Sequence, residues 1–85
     1  MKIVINGDFG GFGYGVDLRY KDMVRSHEDD RTNPELIQFV ENNPHLCGDL
    51  KVVIIPDSAT DWEVHEYDGL ESIIYVEDGK IYWAG

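Results

Sequence analysis

The sequence predicts an α+β fold: a two-layer sandwich in which a mixed sheet of about five strands carries helices on one face. Three observations lead there. Residues 2–6 and 50–56 are apolar runs long enough for buried strands and too short for buried helices. Residues 32–44, lying between them, combine helix start and stop signals with an apolar stripe. Beyond residue 56 the chain breaks into short stretches of strand character separated by turn residues. The expected order is β-α-α-β-β-β-β in one domain spanning residues 1–85.

Each element has its own warrant. "KIVIN" (2–6) sets three β-branched residues in a row and is apolar on both faces, so a central strand is expected. "GDFGGFGYG" (7–15) packs five glycines and three aromatics into one loop. Glycine costs backbone entropy and is kept where positive φ or a close backbone approach demands it. The loop is therefore expected to be mainly architecture, with Phe9 or Phe12 buried as an anchor. Residues 16–26 place Val16, Tyr20, Met23 and Val24 at helical spacing, with Asp17 and Asp22 about one turn ahead of Lys21 and Arg25. In residues 32–44, Thr32 or Asn33 caps a helix, Pro34 sits in its first turn, and Glu35 completes a Thr-x-x-Glu pattern. Leu36, Ile37, Phe39 and Val40 form the buried stripe, and Asn42, Asn43 and Pro44 end it. Residues 50–55 read as a second buried strand, parallel to the first across a right-handed helical crossover. Residues 62–67 alternate, with Trp62 and Val64 inward and Glu63, His65 and Tyr67 outward. Residues 71–84 read as a hairpin about Asp78-Gly79.

Charge narrows the class of partner. Seventeen acids face seven bases, a net charge of −10. Neutralising phosphates needs Lys and Arg, so direct nucleic-acid binding is not expected, nor is binding to an anionic membrane. Between Lys51 and Lys80 there is no base, while Asp57, Asp61, Glu63, Glu66, Asp68, Glu71, Glu77 and Asp78 all fall there. That run is either a solvated face or a surface that meets a basic partner, with Tyr67 exposed among the carboxylates. No apolar run is long enough to span a bilayer, and "MKIVIN" is too short and turns polar too soon for a signal peptide. Cys47 is the single cysteine, which excludes an internal disulfide. A cytoplasmic protein, monomer or homodimer, is expected.

Chemistry-bearing motifs are sparse. The glycine loop follows a strand and precedes a helix, the position of an anion-binding turn. Its spacing does not meet Gly-x-Gly-x-x-Gly, no Gly-Lys-Ser/Thr follows, and Asp8 brings a negative charge. Phe9, Gly10, Gly11, Phe12 and Tyr14 are instead candidates for contact with a partner. His27 with Glu28, Asp29 and Asp30, and His45 with Cys47, are rich in ligand atoms but lack the spacing of a zinc site. Residues 57–63 lack the glycine of a calcium loop. Cys47 precedes a buried strand, where a small apolar role outweighs nucleophilic pairing with a histidine. No enzyme activity, metal or cofactor is expected.

The opening "MKIVIN" with "GGFG", and the later "LKVVIIPD" and "WEVHEYDG", resemble a family of small phage and prophage proteins. The resemblance covers residues 1–13 and about 33–71. After Gly13, "YGVDLRYKD" and a short middle section depart from that family's pattern. It implies a phage or prophage origin and a host-cell setting, and it assigns no functional residue. Taken with the charge, it leads to the expectation of a small acidic protein that binds and modulates a host protein. The expected partner is a basic nucleic-acid-handling or defence factor, and the expected surface is Asp57, Asp61, Glu63, Glu66, Tyr67, Asp68 and Glu71. The alternative is a small-ligand or nucleotide binder using loop 7–15.

Overall fold

The computed structural model describes all 85 residues. Five strands and two α-helices form: β1 (Lys2–Asn6), α1 (Lys21–Arg25), α2 (Pro34–Asn42), β2 (Leu50–Ile54), β3 (Asp61–Tyr67), β4 (Leu70–Glu77) and β5 (Lys80–Ala84). A 3₁₀ turn at Pro44–Leu46 follows α2. The α+β class holds, but the strands do not share one mixed sheet. β1 and β2 form one antiparallel sheet, and β3, β4 and β5 form a second antiparallel sheet in that order.

The expected parallel crossover is replaced by a closed excursion. Asn6 lies opposite Leu50 and Lys2 opposite Ile54. The ladder runs on past the strand ends, with the Gly7 amide donating to the Asp49 carbonyl at 2.7 Å and Val16 bridging Cys47 antiparallel. The segment between β1 and β2 thus leaves and returns at the same end of the pair, which only antiparallel strands allow. α1 is also too short for a crossover. Five residues of helix rise about 7.5 Å, against about 17 Å for a five-residue strand.

The shortness of α1 has a local cause. The Asp17 carboxylate accepts the Arg19 backbone amide at 2.9 Å and the Arg19 guanidinium at 3.0 Å, making a side-chain-closed turn in place of the first helical turn. Asp17 is therefore engaged by Arg19, and Val16 joins a bridge. α2 starts as its residues dictate, with one change. Asn33 is the cap, its Oδ1 accepting the Glu35 amide at 2.8 Å, and Pro34 is the first helical residue. The cap lies one residue past Thr32, so the Thr-x-x-Glu box does not form.

Packing makes three layers, where two were expected. One face of the β1–β2 sheet sends Val4 and Leu50 into a core with Val16, Val24, Leu36, Val40 and Cys47. The opposite face sends Ile3, Ile5, Val53 and Ile55 against Ile73 of β4, with Trp62, Val64, Tyr75 and Ala84 around them. β1 is therefore buried on both faces, as its apolar sequence requires, yet only one of its edges meets a strand.

The other edge of β1 is closed by the Arg31 carbonyl and by the side chains of Arg31 and Glu71. The Val4 amide donates to the Arg31 carbonyl at 2.9 Å, and the Asn6 amide donates to Glu71 Oε1 at 2.8 Å. Arg31 Nη1 donates to the Val4 carbonyl at 3.3 Å and to Glu71 Oε1 at 2.7 Å, and Nη2 donates to Glu71 Oε2 at 2.9 Å. Arg31 Nε donates to the Glu28 carbonyl, and the guanidinium lies 4.0 Å above the Phe12 ring. Arg31 is 8% exposed and Glu71 6%. The pair occupies the place of a third strand, and because Glu71 belongs to β4 it ties the second sheet to the open edge of β1.

Replacing a buried ion pair by apolar residues is often neutral, whereas removing one partner costs about 3–5 kcal/mol. Here Glu71→Ala and Arg31→Met should each cost that much in urea unfolding. Unlike a simple pair, Arg31→Met/Glu71→Leu should stay destabilised, because the Asn6 amide and the Val4 carbonyl lose their partners at about 1–3 kcal/mol each. Wild-type stability in the double variant would show that the edge of β1 does not need the pair.

Candidate functional site

The β3–β5 meander owes its register to two matched turns. Asp68-Gly69 and Asp78-Gly79 each join paired strand ends, Tyr67 with Leu70 and Glu77 with Lys80. Both turns take positive φ at both residues, 51° and 87° in the first and 51° and 75° in the second. That is the two-residue hairpin turn whose twist suits the flanking strands. Strict alternation then sorts the meander into two faces. Trp62, Val64, Glu66, Glu71, Ile73, Tyr75, Glu77, Tyr82 and Ala84 share the inner side. Asp61, Glu63, His65 and Tyr67 share the outer side with Leu70, Ile74, Val76, Ile81 and Trp83.

This sorting divides the expected acidic surface. Glu71 is withdrawn into the ion pair with Arg31 and presents nothing to a partner. Glu66 is on the inner side of the sheet, where its Oε1 accepts the Gly69 amide at 2.6 Å. Asp68 is in the turn, and its carbonyl accepts the Gly10 amide. Asp57 lies outside the meander and takes the N-terminal ammonium at 2.7 Å, which holds its carboxyl below the ordinary range. Asp61, Glu63 and Tyr67 remain together on the outer face. Their neighbours on β4 and β5 are not acids but apolar and aromatic side chains, which the reading of 71–84 as a generic hairpin missed. The signal was present: with the Asp78-Gly79 turn fixed, alternation alone puts Ile74, Val76, Ile81 and Trp83 on one side.

The outer face has a defined relief. Ile74, Val76 and Ile81 with Asp61, Trp62 and Glu63 line an open cavity of about 210 Å³. The two carboxylates stand on the β3 side and Ile81 on the β5 side. Trp83 is 60% exposed, Ile81 69% and Tyr67 68%. The His65 ring meets the Trp83 ring edge-on, with centroids 5.0 Å apart. No Lys or Arg lies among these outward residues.

The glycine loop is wedged between two turns. A Cβ at Gly69 would overlap the Gly11 amide nitrogen and lie 2.6 Å from that of Gly10. A Cβ at Gly48 would lie 2.7 Å from the Gly15 carbonyl carbon. Phe12 is the loop's anchor, packed beside the helical core and under Arg31, while Phe9 and Tyr14 are exposed. Gly10, Gly11, Phe12, Gly13 and Tyr14 line a second open cavity of about 300 Å³, closed on its far side by Lys21, Arg25 and Glu28.

Other candidates are placed by their contacts. No three His, Cys, Asp or Glu side chains converge as a metal-binding group. His27 Nδ1 lies 3.7 Å from Asp30 Oδ2. Cys47 is fully buried, its thiol donating to the Asn43 carbonyl at 3.0 Å. No helix is long and apolar enough to cross a membrane. Compared with models of known protein families, with curated proteins and with solved structures, the chain matches none.

Two outcomes follow. Gly79 has open space where a Cβ would go, so Gly79→Ala carries only left-handed strain of about 1–2 kcal/mol. Gly69→Ala adds a backbone collision and should cost about 3 kcal/mol more, seen as a markedly larger drop in Tm by calorimetry. Cys47 gives a pH dependence. Burial pushes its thiol up, so at alkaline pH the unfolded chain releases a proton that the folded chain keeps. The stability linked to Cys47 is whole below the unfolded thiol value of about 8.5 and is lost as pH rises toward the folded one. Urea midpoints of wild type should fall more steeply than those of Cys47→Ala across that window.

Proposed function

We propose that this protein is a non-enzymatic interaction protein that binds a basic protein through the outer face of its β3–β5 sheet. The observation that carries the reading is the trough formed by Asp61, Glu63, Ile74, Val76 and Ile81 beside the exposed ring of Trp83. Lys and Arg side chains have an apolar stem and a charged head. Ile74, Val76 and Ile81 offer a floor for such a stem, and the Asp61 and Glu63 carboxylates stand where the head would emerge. Trp and Tyr are the residues on which binding energy concentrates, and Trp83 and Tyr67 are available for that role. The net charge of −10 adds long-range attraction for a basic partner and speeds encounter. The resemblance to small phage proteins supports a host protein as that partner, with a basic nucleic-acid-handling or defence factor as the class whose charge fits.

The reading is tested by affinity capture from host lysate at two salt concentrations, with wild type, Trp83→Ala and Asp61→Lys/Glu63→Lys side by side. Wild type should retain a basic protein, and retention should fall as salt rises, because rim charges are screened over about 10 Å at 0.1 M. Both variants should lose the partner while still melting cooperatively close to wild type, since the altered side chains are exposed and give up only the His65 ring contact and the bond from the Trp62 amide to Asp61. Retention unchanged in both would overturn the proposal.

A further inference from the structure

The second cavity concentrates positive charge in a protein that has little of it. Of the seven bases, Lys2 is bridged to Glu41, Arg19 to Asp17 and Arg31 to Glu71. The other four, Lys21, Arg25, Lys51 and Lys80, carry no salt bridge, and of these Lys21 and Arg25 both line the 300 Å³ cavity beside the glycine loop. They are four residues apart on α1, one turn, so they project from one helix face.

The opposite wall supplies hydrogen-bond donors. In the glycine loop the Gly10 amide donates to Asp68 and the Tyr14 amide to Gly11. The amides of Gly11, Phe12 and Gly13 donate to no protein acceptor. The Gly11 nitrogen is packed against the Gly69 turn, which leaves the consecutive Phe12 and Gly13 amides, in a glycine-rich turn that lines the cavity together with two cations, as the elements of a concave anion site built from backbone donors. Asp8, the charge that weighs against an anion in the sequence, does not line the cavity. Its carboxylate accepts the Phe9 amide at 2.8 Å.

We infer that this basin binds the phosphate group of a small phosphate monoester, a mononucleotide in size. The amides of Phe12 and Gly13 would cradle the phosphate oxygens, and Lys21 and Arg25 would neutralise them. Size selects the rest of the ligand, because about 300 Å³ is at the lower end of ligand pockets and takes one ring beside the phosphate. The exposed Tyr14 ring on the wall is the surface for that ring. Glu28, the one carboxylate on the lining, would repel a second phosphate and accept a hydroxyl, so a monophosphate fits better than a di- or triphosphate.

The test is a titration followed by backbone amide NMR, with inorganic phosphate, AMP, adenosine and chloride at matched ionic strength. Phosphate should move the Phe12 and Gly13 amides, AMP should do so at lower concentration, and adenosine and chloride should not. Lys21→Met and Arg25→Met keep the aliphatic stems and should each weaken phosphate about tenfold, the loss expected for one charge-assisted hydrogen bond. Tyr14→Ala should abolish the advantage of AMP over phosphate. No movement of these amides, equal movement by chloride, or undiminished binding in both cation variants would overturn the site. Equal affinity for AMP and phosphate would overturn its ring-binding half. Capture of the protein partner serves as the independent readout: Lys21→Met should leave it intact, so the basin and the sheet face succeed or fail separately.

Discussion

The fold depends on how one strand edge is closed. β1 is buried on both faces, and it must satisfy two edges with one neighbouring strand. The Arg31–Glu71 pair supplies the second edge. A carboxylate accepts the Asn6 amide, a guanidinium donates to the Val4 carbonyl, and the two groups bind each other in a fork. Buried charges are costly unless each donor and acceptor is used. Four of the five guanidinium N–H groups are used, by the Glu28 and Val4 carbonyls and both Glu71 oxygens, with the Phe12 ring beneath. Because the edge is filled by Arg31 and Glu71, β4 cannot pair with β1, and the second sheet is left free to stack on the first.

This device explains what could and could not be read in the sequence. Local signals carried well: the β5 strand, the Asp78-Gly79 turn, the Pro34 start of α2 and the inward Trp62 and Val64 are decided within a few residues. The pairing of sheets is decided at a distance. Arg31 and Glu71 are 40 residues apart, and each stands in a polar setting that reads as surface: Arg31 after "HEDD", Glu71 within an acidic run. Nothing in periodicity marks them as buried. β1 shows the same limit from the other side. Its apolar faces correctly signalled burial, but burial on two faces does not imply a strand on two edges.

The acids illustrate how composition misleads when the topology is missing. A run of eight acids without a base looks like one surface. In the fold they are given separate tasks: Asp57 holds the N-terminus, Glu66 and Asp68 make the turn that receives the glycine loop, and Glu71 builds the core. Asp61 and Glu63 are left on the outer sheet face, where the apolar side chains of β4 and β5 give them a role that charge alone would not. In the proposed interaction, two carboxylates beside an exposed tryptophan would form a more discriminating surface than a uniform field, because a partner would have to match both shape and charge.

Asn6 joins these regions. Its amide reaches Glu71, and its side-chain nitrogen donates to the carbonyls of Asp8 in the glycine loop and Gly69 in the β3–β4 turn. Its Oδ1 is buried without a donor, a cost that the three bonds from the same residue outweigh. The glycine loop is thus tied to β1 through Asn6 and to the meander through the backbone contact at Gly69. Wherever two backbones meet so closely, no side chain can act as a buffer, and the segments behave as a joint. The loop's glycines therefore serve two ends with one geometry. They let Gly10 and Gly11 press against the turn, and they leave the Phe12 and Gly13 amides without a protein acceptor in a loop that lines one cavity with Lys21 and Arg25. Neither end needs a phosphate-loop spacing, because the shape comes from contact with Gly48 and Gly69 rather than from the loop's own sequence.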